Sequence, residues 1–154
     1  MITKNSCPCG STRTFSDCCA PILQDPALAS TAEMLMRSRY TAFVQKNTTH
    51  ILATWHSRLR PPSVDFDHKI KWTGLAIHEV TGGTASDITG VVEFTATYIE
   101  GDHLCRLTER SDFEKKDGLW FYAGGKTELH RQKIARNSSC PCGSGKKAKR
   151  CCLC

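Results

Sequence analysis

An α+β fold is predicted by two features of the middle of this chain. Apolar residues recur at helical spacing between residues 31 and 46, and from residue 70 onward the pattern changes to period two, broken by Gly-containing turns. Helices followed by strands is the order of a domain whose helices cover one side of an antiparallel sheet. A third feature sets the ends apart. The pattern C-x-C-x8-C-C occurs at Cys7, Cys9, Cys18 and Cys19 and returns with the same spacing at Cys140, Cys142, Cys151 and Cys152. The 154 residues therefore divide into a first module at 1–20, a domain at 27–126 and a second module at 137–154.

Each cysteine module opens Ser-Cys-Pro-Cys-Gly-Ser, so the repeat extends beyond the thiols. Four sulfurs within about a dozen residues, with turn residues inside the first pair, can wrap one tetrahedral metal ion. Zinc is the expected occupant, two ions per chain; iron also accepts four sulfurs. Closed four-sulfur sites hold shape rather than catalyse, because no coordination position stays open. A disulfide framework is the rival reading, since the ten cysteines are an even number. Bonding adjacent cysteines is strained, and a reducing cytosol opposes it. Neither a run of 18 apolar residues nor an apolar stretch in residues 1–6 is present, which predicts a cytoplasmic location and no membrane span. Vicinal pairs such as Cys151 and Cys152 need a helix end or a turn to aim both sulfurs at one ion. Cys154 is a possible competitor in the second module.

After Pro21 and Pro26, Ser30-Thr31-Ala32-Glu33 resembles a capping box with Ser30 at the N-cap. Ala32, Leu35, Met36, Tyr40, Phe43 and Val44 then mark a helix over about 31–46. A shorter helix follows Asn47 or Thr48, buries Ile51, Leu52 and Trp55, and is stopped by Pro61-Pro62. Ile70 and Trp72 begin a strand whose phase slips near Gly74 and resumes with Leu75 and Ile77, as a bulge would cause. Gly82-Gly83 turns the chain. Val92, Phe94, Ala96 and Tyr98 line one face of the next strand, and Glu100-Gly101-Asp102 turns again. Cys105, Leu107, Glu109, Ser111 and Phe113 share a face of the third strand, Cys105 as a small core residue. Lys116-Asp117-Gly118 is a tight-turn signal, and the strand carrying Trp120 and Tyr122 ends at Gly124-Gly125. The polar stretch 126–137 reads as a linker. Hydrophobic residues at 40% and aromatics at 8% suffice for a core.

The net charge of +6 is concentrated at the C-terminal end, where residues 126–154 hold eight Lys or Arg against the single Glu128. Lys146, Lys147, Lys149 and Arg150 fall inside the second cysteine loop, whereas the first has only Arg13, opposed by Asp17. This asymmetry points to an acidic partner: a protein face, nucleic acid or anionic lipid.

The run Cys-Pro-Cys-Gly-Ser-Gly-Lys-Lys-x-x-Arg-Cys-Cys at 140–152 closely resembles the SEC-C motif of the SecA translocation ATPase tail, with Cys152 where a His is common. Residues 7–19 resemble a copy that keeps the thiols and loses the lysines. Two such motifs, with Arg37-Ser38-Arg39-Tyr40-Thr41-Ala42-Phe43 and the pattern ending at Trp120, Tyr122 and Gly125, resemble the YchJ family over essentially the whole chain. The resemblance implies a cone-shaped nuclear transport factor 2-like middle, with a pocket between helices and curved sheet. In SecA the tail is associated with the SecB chaperone, ribosomes and phospholipid. No G-x-x-x-x-G-K-[ST] run is present, so no motor activity is implied.

Three functions follow. The first is a non-catalytic adaptor whose basic tail engages a protein or ribosome. The second is a small-molecule binder or acid–base enzyme in the pocket, centred on Glu109 with Arg39, Tyr98 and His103. A purely structural Glu109 paired with Arg37 or Arg39 is the plainer account of that carboxylate. The third is direct nucleic-acid binding, opposed by the lack of any aromatic residue after Lys126 to stack on bases.

Overall fold

A computed structural model describes residues 5–154. Three helices, α1 (Cys19–Gln24), α2 (Ala32–Gln45) and α3 (Thr48–Ala53), precede four strands, β1 (Ile70–Gly82), β2 (Thr89–Glu100), β3 (His103–Lys116) and β4 (Leu119–Lys133). The strands form one antiparallel sheet in the order β1-β2-β3-β4, so each pairs with its neighbour in sequence. The α+β expectation holds, and it holds for the stated reason. Alternate residues Val92, Phe94, Ala96 and Tyr98 of β2 are buried, against Leu35, Met36 and Tyr40 from α2.

Turn chemistry places the strands. Asp117 and Gly118 both take positive φ, at 51° and 78°, as a two-residue hairpin turn requires. Gly83 and Gly90 meet face to face: a Cβ on Gly90 would lie 2.6 Å from the Gly83 Cα, so no side chain fits there. The expected slip near Gly74 is present between Trp72 and Gly74, and a second, unforeseen one lies between Ile77 and Glu79.

Three boundaries differ from the sequence expectation. Thr31, not Ser30, caps α2: its hydroxyl accepts from Met34 N at 3.2 Å. The carbonyl of Gly83 takes the Ala32 N–H at 2.9 Å, a contact from 51 positions away that fixes where the helix begins. α3 ends at Ala53 rather than at Pro61, because the chain then bridges Trp55 to Tyr122 of β4. Finally, β4 does not stop at Gly124-Gly125. Gly124 at φ 99° absorbs a bulge opposite Ser111 and Phe113, after which residues 126–133 continue pairing with β3. That extension is exposed on both faces, so no alternation marked it.

His50 on α3 lies in this fold almost fully buried. Ser38 Oγ donates to the Leu35 carbonyl at 2.7 Å, so His50 Nε2, 2.9 Å from that hydroxyl, is its N–H donor. The remaining nitrogen, Nδ1, is buried without a partner among the described residues. Burial first, and the Arg39 charge second, lower its pKa from 6.5 to about 4. The neutral ring is therefore the folded form, while the unfolded chain takes up a proton below 6.5. Stability is full above pH 6.5 and falls as pH drops toward 4, by on the order of 3 kcal/mol. Urea unfolding of the parent and His50→Gln between pH 7 and 4 should show this slope in the parent and a shallower one in the variant. Parallel slopes would remove His50 as the cause.

Candidate functional site

The two cysteine modules share one local structure, built in the same way from the same residue types. An antiparallel bridge opens each, Ser6 with Thr14 and Ser139 with Lys147. Cys7 N donates to Arg13 O at 2.9 Å, and Cys140 N donates to Lys146 O at 2.8 Å. Gly10 and Gly143 turn at φ 77° and 81°, returning their N–H groups to the Cys7 and Cys140 carbonyls. A 3-10 turn then leads into each vicinal pair. Cys18 (φ −123°, ψ −97°) and Cys151 (φ −138°, ψ −108°) adopt nearly the same unusual backbone, which is the break needed for adjacent sulfurs to converge.

In each module the four sulfurs lie within 4.8 Å of one another. Cys9 and Cys18 sulfurs are 3.6 Å apart, and Cys142 and Cys151 sulfurs 3.4 Å. Four sulfurs at about 2.3 Å from a tetrahedral zinc would be spaced about 3.8 Å apart, whereas a disulfide needs about 2.05 Å. The donor sets thus fit a four-sulfur metal site. The Cys9 thiol is held well below its ordinary value, chiefly by the hydrogen bond with Cys19, and Cys19 is pushed up in turn. In the second module the Ser144 hydroxyl leads in lowering Cys142 to about 6. Burial pushes Cys152 up to about 12, so each cluster sets a lowered thiol beside a raised one, and metal binding, which needs thiolate, would release protons from both.

The surroundings of the modules differ. Cys7, Cys9 and Cys19 are buried within the main core beside Leu35 and Tyr40, and Arg37 Nη1 donates to the Cys9 carbonyl at 2.8 Å. The second module sits on a smaller apolar cluster of Ile99, Ile134, Cys140 and Ala148 near the β2–β3 turn. Only its Cys140 is buried, while Cys142, Cys151 and Cys152 are half-buried. Cys154 lies exposed and outside the sulfur cluster. A cation from β1 serves this module: Lys71 Nζ donates to Cys152 Sγ at 3.3 Å. It lies 81 positions from Cys152 and nothing in the motif pointed to it. Lys146, Lys147, Lys149 and Arg150 are exposed and form no ion pair among the described residues.

A cavity of about 220 Å³ between the helices and the sheet is lined by Arg39 and Glu109. Tyr98 does not line it; its ring packs edge-on to Trp72 with centroids 5.0 Å apart. His103 is held at the β2–β3 turn by Asp102, with Nδ1 2.8 Å from the carboxylate. Glu109 is bound neither by Arg37 nor by Arg39 but by two hydroxyls, Ser111 Oγ and Tyr122 OH, each 2.7 Å from Oε1. Tyr122 was the missing member. The bulge opposite Ser111 and Phe113 is what brings it to Glu109, across the sheet.

A match to the family description "YchJ, middle NTF2-like domain" covers residues 31–125, and SEC-C motif matches cover 4–21 and 136–153. The chain is 40% identical to UPF0225 protein YchJ of Shigella dysenteriae over 95% of its length and 96% of the relative. It is 42% identical to a UPF0225 protein of Enterobacter sp. strain 638, over 95% and 96% of the two chains. Among solved structures, a SEC-C motif containing protein from Rhodopseudomonas palustris superposes with TM-score 0.68 at 32% identity, over 79% of this chain and 97% of that one. Another from Psychrobacter arcticus gives 0.64 at 28% identity, over 97% and 96%.

Proposed function

Because the chain belongs to the YchJ family, with a nuclear transport factor 2-like domain between two SEC-C motifs, we propose that it is a zinc-binding adaptor without catalytic chemistry in its metal sites. Each module takes one zinc ion through its four thiolates, which leaves no open coordination position. The first zinc holds the N-terminal segment into the domain core. The second shapes a basic knob that engages a protein or ribonucleoprotein partner in the reducing cytoplasm.

The observation that carries this reading is the asymmetry of two otherwise equivalent modules. Buried thiols and the Arg37 bond tie the first to α2, whereas Lys146, Lys147, Lys149 and Arg150 of the second face solvent without counter-charges among the described residues. Four exposed cations attract an acidic surface at low ionic strength and lose most of that reach at about 0.1 M salt, where the Debye length is about 10 Å. Capture of binding proteins and ribosomes at low and high salt tests the proposal, comparing the parent with a variant carrying Gln at the four basic positions. Association is expected to fade with salt and to drop at least about tenfold in the variant. An unchanged capture profile would refute the adaptor role.

A further inference from the structure

The central cavity carries groups that neither the metal modules nor the adaptor role use. Six of its walls are aromatic: Tyr40, Phe43, Trp55, Trp72, Phe94 and Tyr122. At its polar end stand Arg39 and Glu109, both lining the same space, with no ion pair between them. Arg39 is only 4% exposed. Its Nη1 donates to the Ile51 carbonyl at 2.8 Å and to Thr54 Oγ1 at 2.7 Å, and its guanidinium lies 4.8 Å from the Tyr122 ring centre and 5.2 Å from that of Trp55. These contacts fix the cation without neutralising it. Both hydroxyl bonds to Glu109 converge on Oε1, and Oε2 accepts none from the described residues. Gly125 makes this carboxylate position possible, since a Cβ there would come within 2.7 Å of Oε1.

Buried Arg39 and half-buried Glu109 face one aromatic-walled space without bonding to each other, so a ligand that bridges them gains both contacts. The geometry points to a binding site for a small, planar, uncharged aromatic molecule that carries an N–H donor beside a carbonyl acceptor. The carbonyl would meet Arg39, the N–H would meet Glu109 Oε2, and the ring would lie among the aromatic walls. An anionic ligand suits Arg39 but is repelled by Glu109, and a cationic one meets the reverse penalty, so the charge pair selects for neutrality. Size narrows the class further. A dry cavity of about 150 Å³ accepts benzene, so about 220 Å³ suits one ring with an amide-sized substituent. This site is independent of the metal-dependent adaptor role, and failure of either leaves the other standing.

Benzamide is the probe, with benzoate, benzylammonium and toluene as charge and polarity controls, titrated into the full metal-loaded chain. Two of the three tryptophans, Trp55 and Trp72, line the cavity, so intrinsic fluorescence reports occupancy, checked by calorimetry. Benzamide is expected to saturate one site with a Kd on the order of 100 µM, at least about tenfold tighter than any control. Glu109→Gln keeps an acceptor for the two hydroxyls and should weaken benzamide about tenfold. Ala96→Leu, which fills the cavity from the sheet side, should abolish binding even if the Glu109 variant folds poorly. The site is overturned by no saturable response to benzamide, by a charged control or toluene binding as well as the amide, or by benzamide binding that Ala96→Leu leaves unchanged.

Discussion

Cys9→Ser should destabilise the whole domain, while Cys142→Ser, the equivalent change in the other module, should leave it standing. Cys9 is fully buried and shares the main core cluster with Leu35, Tyr40 and Phe94, so an opened first module withdraws Cys7, Cys19 and Ile22 from that core as well. Structural zinc sites supply folding free energy outright, and the exposed apolar surface adds to the loss. A drop of at least about 3 kcal/mol is expected for Cys9→Ser. Cys142 belongs to the separate cluster around Ile99 and Ile134, so the central domain should stay within about 1 kcal/mol of the parent. Trp55, Trp72 and Trp120 all lie in that domain, which makes urea unfolding followed by tryptophan fluorescence the appropriate measurement. Equal losses from the two substitutions would mean that the first module is not part of the core in the way described.

Trp120→Ala should cost about 3–5 kcal/mol, the range for removing a large buried aromatic side chain. Trp120 is the largest of the fully buried side chains, and its Nε1 donates at 3.1 Å to the carbonyl of Ser30, just ahead of α2. The ring therefore fixes β4 to the segment that positions the helix over the cavity. Trp120→Phe keeps most of the apolar area and loses the indole N–H, so a smaller cost of about 1–2 kcal/mol is expected. Denaturant unfolding followed by circular dichroism measures both. Comparable losses in the two variants would assign the effect to the hydrogen bond rather than to packing.

What the sequence revealed depended on whether the deciding interaction was local. The cysteine repeat, the Lys116-Asp117-Gly118 turn and the alternation of Val92, Phe94, Ala96 and Tyr98 are local signals, and each predicted the observed element. The α2 start is not local: Thr31 becomes the cap because the Gly83 carbonyl claims Ala32 N–H from across the fold. The far half of β4 joins β3 through the backbone ladder, and exposed residues such as Lys126, Thr127 and Glu128 carry no pattern to read.

The site follows the same rule. Glu109 stands out in the sequence as a carboxylate on an otherwise largely apolar strand face, whereas Arg39 is named there only as its companion and its burial on α2 emerges from the fold. Their companions could not be assigned without knowing the bulge opposite Ser111 and Phe113, which brings Tyr122 to Glu109. Tyr98 alternates correctly but lies further along the sheet against Trp72, and His103 is captured by Asp102 at the turn. Lys71 was hidden for a simpler reason: contact with Cys152 depends on where the second module docks, and the motif encodes only its own loop.

Metal content of the purified, fully reduced chain decides whether the two thiol clusters are zinc sites. Elemental analysis alongside a protein concentration from amino-acid analysis should give two zinc ions per chain, falling to one in Cys142→Ser. A folded chain that carries no stoichiometric metal, or one whose module cysteines are joined as disulfides, would contradict the account.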